Sequence, residues 1–324
     1  MSGKGAFIAA RLSVVVAVVA VCAGTWAALY AHAHQRAEIP SFPLDTRPLS
    51  TRHPYLGVFK PGAIASYRPV TSFAKLAGRQ PNVVLYYSGW LDPFQIKLAG
   101  RSAAHNAVPF VQMLPKGIAM SSVASGKFDA YLDTYAHAVR AYGRPVIISF
   151  APEPNGWWYA WGYTGTDPAQ WIAAWRHVVT LFRQVGANNV TWLWTVNRAG
   201  GPTAPVKKWW PGARYVTWVG IDGYYFRKGD NFDGLFGPTI RAVRQFTRDP
   251  VFLSEIGIGQ GTGQAAGLPN LFAGIQKYHL LGLVWFDVAQ HNGIYHQEWQ
   301  LDGHPAAIAA FRKGVRDLFT EQRQ

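Results

Sequence analysis

The sequence predicts an α/β protein built as a (β/α)8 TIM barrel, and three observations support this fold class. From residue 55 onward, short apolar segments rich in β-branched residues alternate with longer amphipathic segments. Such segments are typical of buried parallel strands covered by helices. About eight of these units occupy roughly 270 residues, the usual size of the barrel. A doubly wound open sheet is the alternative, but no G-x-G-x-x-G fingerprint follows the first strand and the chain has no P-loop.

Each predicted strand is a short apolar run, and each run is followed by a segment with helical periodicity. The predicted strands are 55–59, 83–87, 108–112, 146–150, 190–196, 216–221, 251–254 and 283–286. The predicted helices are 66–78, 93–104, 126–142, 169–185, a short one near Lys207, 232–246, 265–278 and 305–319. The clearest helix start is at Pro168, which occupies a favoured first-turn position after Asp167 as N-cap.

Residues 1–33 are predicted to be a signal peptide or a membrane anchor. Lys4 and Arg11 precede twenty residues without a charge, 12–31, and this length fits either a signal-peptide core or one membrane-spanning helix. A small-x-small motif at 31–33 favours cleavage, whereas the length of the apolar run favours an uncleaved anchor. Both alternatives predict that the rest of the chain is secreted or membrane-anchored, facing the cell exterior or the periplasm.

Residues 34–54 are predicted to form an extended linker because four prolines are spread along them with polar spacing. The remaining residues, 55–324, are predicted to form one domain. The only cysteine, Cys22, lies in the N-terminal apolar run, so this domain has no disulfide and no thiol chemistry. The ten histidines are scattered and do not have zinc-ligand spacing. The sequence therefore predicts neither a metal nor a cofactor.

The chain is strongly basic, with a formal net charge of +14. Lys4, Arg11 and Arg36 account for three of these charges within residues 1–36, where there is no acid, so residues 37–324 carry +11. The sequence has no dense Lys/Arg run and no recognition motif, and we therefore predict no nucleic-acid partner. The charge instead favours attraction to an anionic envelope or an anionic polysaccharide.

The stretch 145–162, PVIISFAPEPNGWWYAWG, carries the strongest functional signal. Glu153 lies between two prolines that end the preceding strand. A turn signal and several large aromatic residues follow, namely Trp157, Trp158, Tyr159 and Trp161. A carboxylate at a strand end beside indole rings suits sugar binding, since apolar C–H faces stack on the rings. The alternative is that Glu153 caps a helix and the rings belong to the core, although each ring would need a large partner surface.

Polar and aromatic residues stand at the carboxyl ends of most predicted strands, which converge on one face of a barrel. They are Trp90, Gln112, Glu153, Asn197, Tyr224, Glu255 and Trp285. Glu153 and Glu255 follow the fourth and seventh strands and form the candidate catalytic pair. Two facing carboxylates suit glycoside hydrolysis, in which one protonates the leaving oxygen and the other attacks or stabilises the anomeric carbon. The two groups then need different pKa values, which different surroundings can supply.

The sequence resembles glycoside hydrolase family 26, which is best known for endo-β-mannanases within a larger clan of retaining (β/α)8 hydrolases. The resemblance covers roughly residues 55–318. The matching stretches are PEPNGWWYAWG around Glu153, part of VTWLWTVN at 190–197, VGIDGYY at 219–225, VFLSEIGIG at 251–259, GLVWFDV at 282–288 and GKFDAYLDTYAHAVRAYGRP before the central strand.

This resemblance implies a retaining endo-β-glycosidase that acts on a polysaccharide. The N-terminal segment predicts that this enzyme is exported, and we expect it to be a monomer. It implies Glu153 as general acid/base, Glu255 as nucleophile and Tyr224 as a hydrogen-bond donor to that nucleophile. Trp158 and Trp285 match aromatic positions that line the cleaved subsite, with core packing as the alternative for both. Asn155 either orients the acid/base residue or makes the turn. The residues that serve either in the cleft or in ordinary loop roles are Trp90, Asn197, Asp222, Asp287 and His291.

The chain departs from the family pattern immediately before Glu153. The family usually carries His at that position and often Arg a few residues earlier, where this chain has Pro152 and, nearby, Ser149. A substrate-orienting donor is therefore absent, and besides β-mannan we consider other β-glycans and an envelope polysaccharide as substrates. Two alternatives to hydrolysis stay open, a glycan-binding protein without turnover and a transglycosylase that remodels an exported polysaccharide.

Overall fold

Eight parallel strands form a closed barrel in which each strand pairs with the next in the chain and β8 pairs with β1. The strands are β1 Tyr55–Phe59, β2 Val83–Gly89, β3 Val108–Leu114, β4 Val146–Phe150, β5 Val190–Asn197, β6 Trp218–Tyr225, β7 Val251–Ile258 and β8 Gly282–Phe286. This architecture confirms the predicted (β/α)8 barrel and excludes the open doubly wound sheet.

The computed structural model describes residue 45 and residues 47–321, except positions 202, 260, 262 and 289–296. The predicted signal or anchor segment, most of the predicted linker and His291 lie outside the described residues. The described residues belong to a compact unit that begins at residue 41. In this part of the chain, no helix is long and apolar enough to cross a membrane.

Helices follow most of the strands and cover the outside of the barrel. They are α1 Arg68–Ala77, α2 Ile96–Ala104, α3 Met120–Ala124, α4 Asp129–Tyr142, α5 Pro168–Val185, α6 Phe232–Leu235, α7 Gly237–Val243, α8 Gln264–Lys277 and α9 Pro305–Glu321. Asp167 caps α5 as predicted, since its carboxylate accepts a hydrogen bond from the backbone nitrogen of Ala169 at 2.8 Å.

Several elements differ from the predictions. The short helix α3 was not predicted, and the predicted helix 232–246 is two helices, α6 and α7, with a proline in the first turn of the second. Strands β6 and β7 continue four residues beyond their predicted ends, to Tyr225 and Ile258. The polar and glycine residues in these extensions look like loop residues in the sequence, but backbone pairing between β6 and β7 keeps them extended.

Side chains on each strand alternate between the barrel interior and the layer under the helices. The interior nearest the amino ends of the strands is filled by large apolar side chains, among them Tyr55, Phe110, Trp218 and Phe252. Outward-facing side chains join the larger core beneath the helices. The remaining inward positions, at the carboxyl ends of the strands, are mostly polar. We call this end of the interior the barrel mouth.

The last residues of the predicted linker lie against the barrel. The backbone nitrogen of Asp45 donates to the carbonyl of Gly143 at 2.6 Å. Leu49 packs on the interior cluster that contains Tyr55, and the Tyr55 hydroxyl donates to the carbonyl of Ser50 at 2.7 Å. These residues therefore pack on the amino-terminal end of the barrel, opposite the mouth. The domain boundary at residue 54 stays a prediction.

Candidate active site

Glu255 faces the barrel mouth because β7 contains an extra residue. Along β6, Gly220 pairs with Phe252 and Asp222 pairs with Glu255, so three steps on β7 match two on β6. The pairing of β7 with β8 shows the same irregularity. Such a bulge changes the direction in which the following side chains point. It allows Ser254 and Glu255 both to contact groups inside the barrel.

The Glu255 carboxylate accepts hydrogen bonds from three side chains on three other strands. The hydroxyl of Tyr87 and the amide nitrogen of Gln112 donate to Oε1, the latter at 3.0 Å, and the hydroxyl of Tyr224 donates to Oε2 at 2.6 Å. Burial raises the pKa of Glu255, whereas the three donors act in the opposite direction because they stabilise the carboxylate. The three donors thus offset part of the effect of burial, and the pKa of Glu255 is still raised.

Glu153 lies on a backbone turn with unusual dihedral angles directly after β4. Ala151 and Glu153 have φ values of 43° and 56°, in the left-handed region that non-glycine residues seldom adopt. The turn is held by the backbone nitrogen of Glu153, which donates to the carbonyl of Thr195 at 2.9 Å, and by that of Ala151, which donates to Met113. Strained backbone of this kind is frequent at functional sites, where surrounding contacts enforce it.

The side chain of Glu153 is buried and has two donors of a different kind. The Asn197 amide nitrogen donates to Oε1 at 2.6 Å, and the Trp158 indole nitrogen donates to Oε2 at 2.7 Å. The pKa of Glu153 is raised to about 7, first by burial and second by the charge of Glu255, against the effect of its hydrogen bonds. Glu153 is therefore able to hold a proton near neutral pH.

Asn155 connects the turn that carries Glu153 to the end of β5. Its side-chain nitrogen donates to the carbonyl of Asn197 at 2.8 Å, and its side-chain oxygen accepts from the backbone nitrogen of Asn197 at 2.9 Å. Both bonds fix the residue whose side chain reaches Glu153. Asn155 is thus placed where it can orient Glu153 through Asn197, and this role stays a prediction.

A third buried carboxyl group, on Asp222, lies between the two glutamates in the barrel wall. Asp222 is the strand partner of both Asn197 and Glu255, and its Oδ1 accepts from the Ser254 hydroxyl at 2.5 Å. Burial, then the charges of Glu255 and Glu153, raise its pKa well above the usual value. Within the described residues, no three His, Cys, Asp or Glu side chains are grouped to hold a metal ion. The expectation of cofactor-free chemistry stays a prediction.

Aromatic rings border Glu153 on its solvent side. Trp157 and Trp158 are 48% and 39% exposed and meet edge to face, with ring centroids 6.3 Å apart. Tyr159 stacks on the buried ring of Trp161 at 4.2 Å. Exposed indoles beside a carboxyl group provide flat apolar surfaces on which the C–H face of a sugar can stack. The structure thus places Trp158 both at the acid and at the solvent edge.

The prediction that Trp285 lines the cleft is wrong. Trp285 is fully buried under the helices, where its indole nitrogen donates to the carbonyl of Trp299 and its ring packs against Phe311 of α9. The neighbouring residue, Phe286, faces the mouth instead, with its ring edge-on to Tyr224 at 5.7 Å. Successive side chains on a strand point alternately into the barrel and towards the helices. A prediction that is wrong by one residue therefore assigns the inward position to a residue that points outward.

Two other predicted cleft residues have structural contacts. Trp90 packs edge-on against Phe128 and Tyr131 in the outer layer, and none of its described ring contacts involves the glutamates. Asp287 forms an ion pair with Lys60 and accepts from the backbone nitrogen of Leu301 at 2.9 Å. Asp287 thus ties the ends of β1 and β8 to the following loop, which is an ordinary loop role.

Sequence reasoning missed Tyr87 as a partner of Glu255. The search for polar and aromatic residues at the carboxyl ends of predicted strands instead selected Trp90. This residue lies three positions after Tyr87, where the predicted strand β2 ends. The signal that could have found Tyr87 is the alternation along β2, where Val83 and Leu85 face the interior and Tyr87 is the next residue of that series. Gln112 was noted at its strand end but not assigned to Glu255.

A closed parallel barrel that carries two buried glutamates after β4 and on β7, with exposed indoles beside the first, defines the class of glycoside hydrolases with a (β/α)8 fold. The family profile described as Glycosyl hydrolase family 26 matches residues 115–303, more than half of the chain. The chain therefore belongs to glycosyl hydrolase family 26, as the resemblance implied.

The chain is similar to Endoglucanase H of Acetivibrio thermocellus, with 27% identity over 272 residues that cover 78% of this chain and 29% of that protein. It is also similar to Beta-1,3-xylanase TXYA of a Vibrio species, with 29% identity over 203 residues, or 57% of this chain and 42% of the relative. The chain thus matches less than half the length of each of these curated relatives.

Solved structures share the fold at lower sequence identity. A β-mannanase from Bacteroides ovatus superposes with a TM-score of 0.61 and 15% identity, covering 82% of this chain and 89% of the mannanase. An endo-β-1,4-mannanase from Cellulomonas fimi gives a TM-score of 0.63 with 17% identity, covering 83% of this chain and 72% of the mannanase. At these identities the similarity establishes the fold alone.

Proposed function

We propose that this protein hydrolyses a β-linked polysaccharide with retention of configuration, using Glu153 as general acid/base and Glu255 as nucleophile. Glu255 forms a bond to the anomeric carbon while the glycosidic oxygen leaves with the bonding electrons and takes the proton of Glu153. Glu153 then removes a proton from water, which attacks the same carbon and releases Glu255.

The observation that carries this proposal is the contrast between the two glutamates. Glu255 receives two phenolic donors and one amide donor, which favour an ionised nucleophile. Glu153 has a pKa raised to about 7, which keeps a proton available for the leaving oxygen. Two carboxyl groups whose environments separate their protonation states are what an acid and a nucleophile need in one site.

The sequence relatives favour a β-glucan or a β-xylan over the initially expected β-mannan. Endoglucanase H aligns over most of this chain, and the xylanase has similar identity over a shorter range, whereas the mannanases named above are 15–17% identical. The residue before Glu153 is Pro152, whose carbonyl accepts from the Trp161 indole and which offers no side-chain donor to a sugar. We therefore place β-glucan first among the substrates.

To test the activity, residues 37–324 are incubated with β-glucans, β-xylans, β-mannans and bacterial exopolysaccharides, and new reducing ends are counted. We expect hydrolysis of at least one β-glucan, with the β-anomer of the product appearing first by proton NMR. Glycan retention on the protein without new reducing ends would instead indicate a binding protein. Products longer than the starting oligosaccharide would indicate a transglycosylase.

Variants of the two glutamates test their roles. Glu255→Ala is expected to lower kcat by at least about 10⁴-fold, because no covalent intermediate can form. Glu153→Ala should lose polymer hydrolysis but turn over an aryl glycoside with a good leaving group when azide is added, giving a glycosyl azide of retained configuration.

Asp133→Asn, a carboxyl-to-amide change on the exposed face of α4, is the matched control. Activity like that of the wild type in Glu255→Ala would exclude the mechanism.

We further propose that the protein is exported and acts as a monomer. The twenty uncharged residues that follow Lys4 and Arg11 support export, through either a cleaved signal peptide or an uncleaved anchor. N-terminal sequencing of the protein from the producing cell distinguishes the two, since cleavage after residue 33 predicts a mature chain beginning with His34. Recovery of the full chain from the cytoplasm would contradict export.

A further inference from the structure

The two oxygens of Glu255 have unequal hydrogen bonding. Oε1 accepts from Tyr87 and from Gln112, whereas among the described residues Oε2 accepts a single bond, from Tyr224. A carboxylate oxygen has two lone pairs available for hydrogen bonds. Among the residues that the structure describes, both lone pairs of Oε1 are therefore engaged, while Oε2 keeps one that can approach a carbon atom.

Tyr87 is held in this position by its surroundings. Its ring packs edge-on against Phe59 of the neighbouring strand, with centroids 5.0 Å apart. Its neighbour on the strand, Tyr86, points to the opposite layer, where its hydroxyl lies 3.5 Å from that of Tyr135. The strand thus places one phenol at the barrel mouth and one under the helices. A rigid donor loses little conformational entropy when it binds the carboxylate.

We propose that Tyr87 is a positioning residue for Glu255, which together with Gln112 holds Oε1 as the oxygen that does not react. This inference rests on the proposed function, in which Glu255 is the nucleophile. Oε2 then forms the bond to the anomeric carbon, and the glycosidic bond breaks towards an oxygen that receives the proton of Glu153. Oε1 becomes the ester carbonyl and keeps both donors, while the hydroxyl of Tyr224 leaves Oε2.

Removal of the Tyr87 hydroxyl has a defined effect on protonation. The titratable groups that face Glu255 are Tyr87 on β2, Tyr159 and Glu153 after β4, and Asp222 and Tyr224 on β6. Tyr87 donates to the charged form of Glu255 and so lowers the pKa of that carboxyl group. Without the donor, Glu255 takes up a proton at higher pH, and the charged nucleophile is lost sooner as the pH falls.

The test is the pH profile of kcat/KM for Tyr87→Phe on the substrate found by the polymer panel. We expect kcat to fall about tenfold to a hundredfold, the usual effect of one hydrogen bond to a charged group. The acidic limb should move up by about one pH unit, with the alkaline limb unchanged. Gln112→Met removes the other donor to Oε1 and should move the same limb in the same direction.

Tyr86→Phe is the matched control, because it removes a hydroxyl from the adjacent residue on the other face of β2. It should leave both limbs of the profile in place. If Tyr87→Phe loses stability to the same extent as Tyr86→Phe but keeps the acidic limb of the wild type, the positioning role is wrong. That result together with an inactive Glu255→Ala would leave the proposed function intact, whereas an active Glu255→Ala would remove both.

Discussion

Glu153 and Glu255 have the same side chain and similar burial, yet their neighbours give them different tasks. The donors of Glu255 are two phenols and an amide, whereas Glu153 has an indole and an amide and also experiences the charge of Glu255. Asp222 adds a third carboxyl group close to both. Because burial and the charge of Glu255 disfavour a second charge at this site, the proton on Glu153 is retained to higher pH.

At the residue scale, we predict that activity falls above about pH 7. In the proposed mechanism the active form of Glu153 is protonated, and its pKa is raised to about 7. A rise in pH above that value removes the proton, so kcat/KM should decrease by about tenfold per pH unit. The measurement is the pH dependence of kcat/KM on the polymer.

An aryl glycoside with a good leaving group is the control for this pH prediction, because its departure needs no proton. Its glycosylation step should keep its rate above pH 7, where the polymer reaction slows. An alkaline limb near pH 5 for the polymer would contradict the prediction, since it would mean that Glu153 titrates like an exposed carboxyl group.

At the element scale, the site depends on contacts that join neighbouring strands. The bulge in β7 turns Glu255 into the barrel, and a regular strand would alternate Ser254 and Glu255 between the two layers. Asn155 connects the turn after β4 to the end of β5 by two hydrogen bonds. The positions of the two glutamates thus depend on backbone pairing between β6 and β7 and on the amide contacts between β4 and β5.

For the link between β4 and β5, we predict that Asn155→Ala destabilises the fold by about 1–3 kcal/mol and also lowers kcat about tenfold. The stability is lost because buried backbone groups of Asn197 lose their partners. The activity is lost because Asn197 then holds Glu153 less firmly. Urea unfolding and initial rates, measured on the same preparations, check both effects.

Asn189→Ala is the matched control for the amide change. The Asn189 side chain is buried and donates to the carbonyls of Val139 and Arg144, at the other end of β5. The Asn189→Ala variant should lose about as much free energy of unfolding as Asn155→Ala and keep the kcat of the wild type. Equal loss of kcat in the two variants would contradict a specific role for Asn155.

At the scale of the whole molecule, the barrel depends on the junction where the last strand meets the first. All five residues of β8 pair with the five residues of β1, and Lys60 and Asp287 form an ion pair just beyond that junction. Gly282 begins β8 with a φ of 140°, and a Cβ there would lie 1.9 Å from the carbonyl oxygen of Tyr55. Only glycine fits this closing contact without displacing β1.

We therefore predict that Gly282→Ala destabilises the whole domain by about 3 kcal/mol or more, because the added methyl group separates β8 from β1. Gly100→Ala is the matched control, since Gly100 lies within α2 and an added Cβ meets nothing within 4 Å. That variant should gain up to about 1 kcal/mol, the usual benefit of alanine in a helix. Urea unfolding measures both, and similar stabilities would contradict the closing role.

Much of the fold was predictable, because each buried strand is a short apolar run and each helix has its own periodicity. The site was predictable in part. Glu153 was marked by its prolines and tryptophans, Glu255 by its place at a strand end, and the role of Tyr224 by the family resemblance. Tyr87 was missed and Trp285 was misplaced, because the direction of a side chain at a strand end depends on register rather than on residue type.

The sequence by itself determined the barrel, the two strands that carry the glutamates and the family, because hydrophobic periodicity and the PEPNGWWYAWG stretch are local properties of the chain. The tertiary structure alone decided which donors surround each glutamate and that Phe286, rather than Trp285, faces the mouth. The physical reason is that these contacts join residues far apart in the chain, such as Tyr87 and Glu255. Their approach depends on barrel closure and on the bulge in β7, which no local pattern encodes.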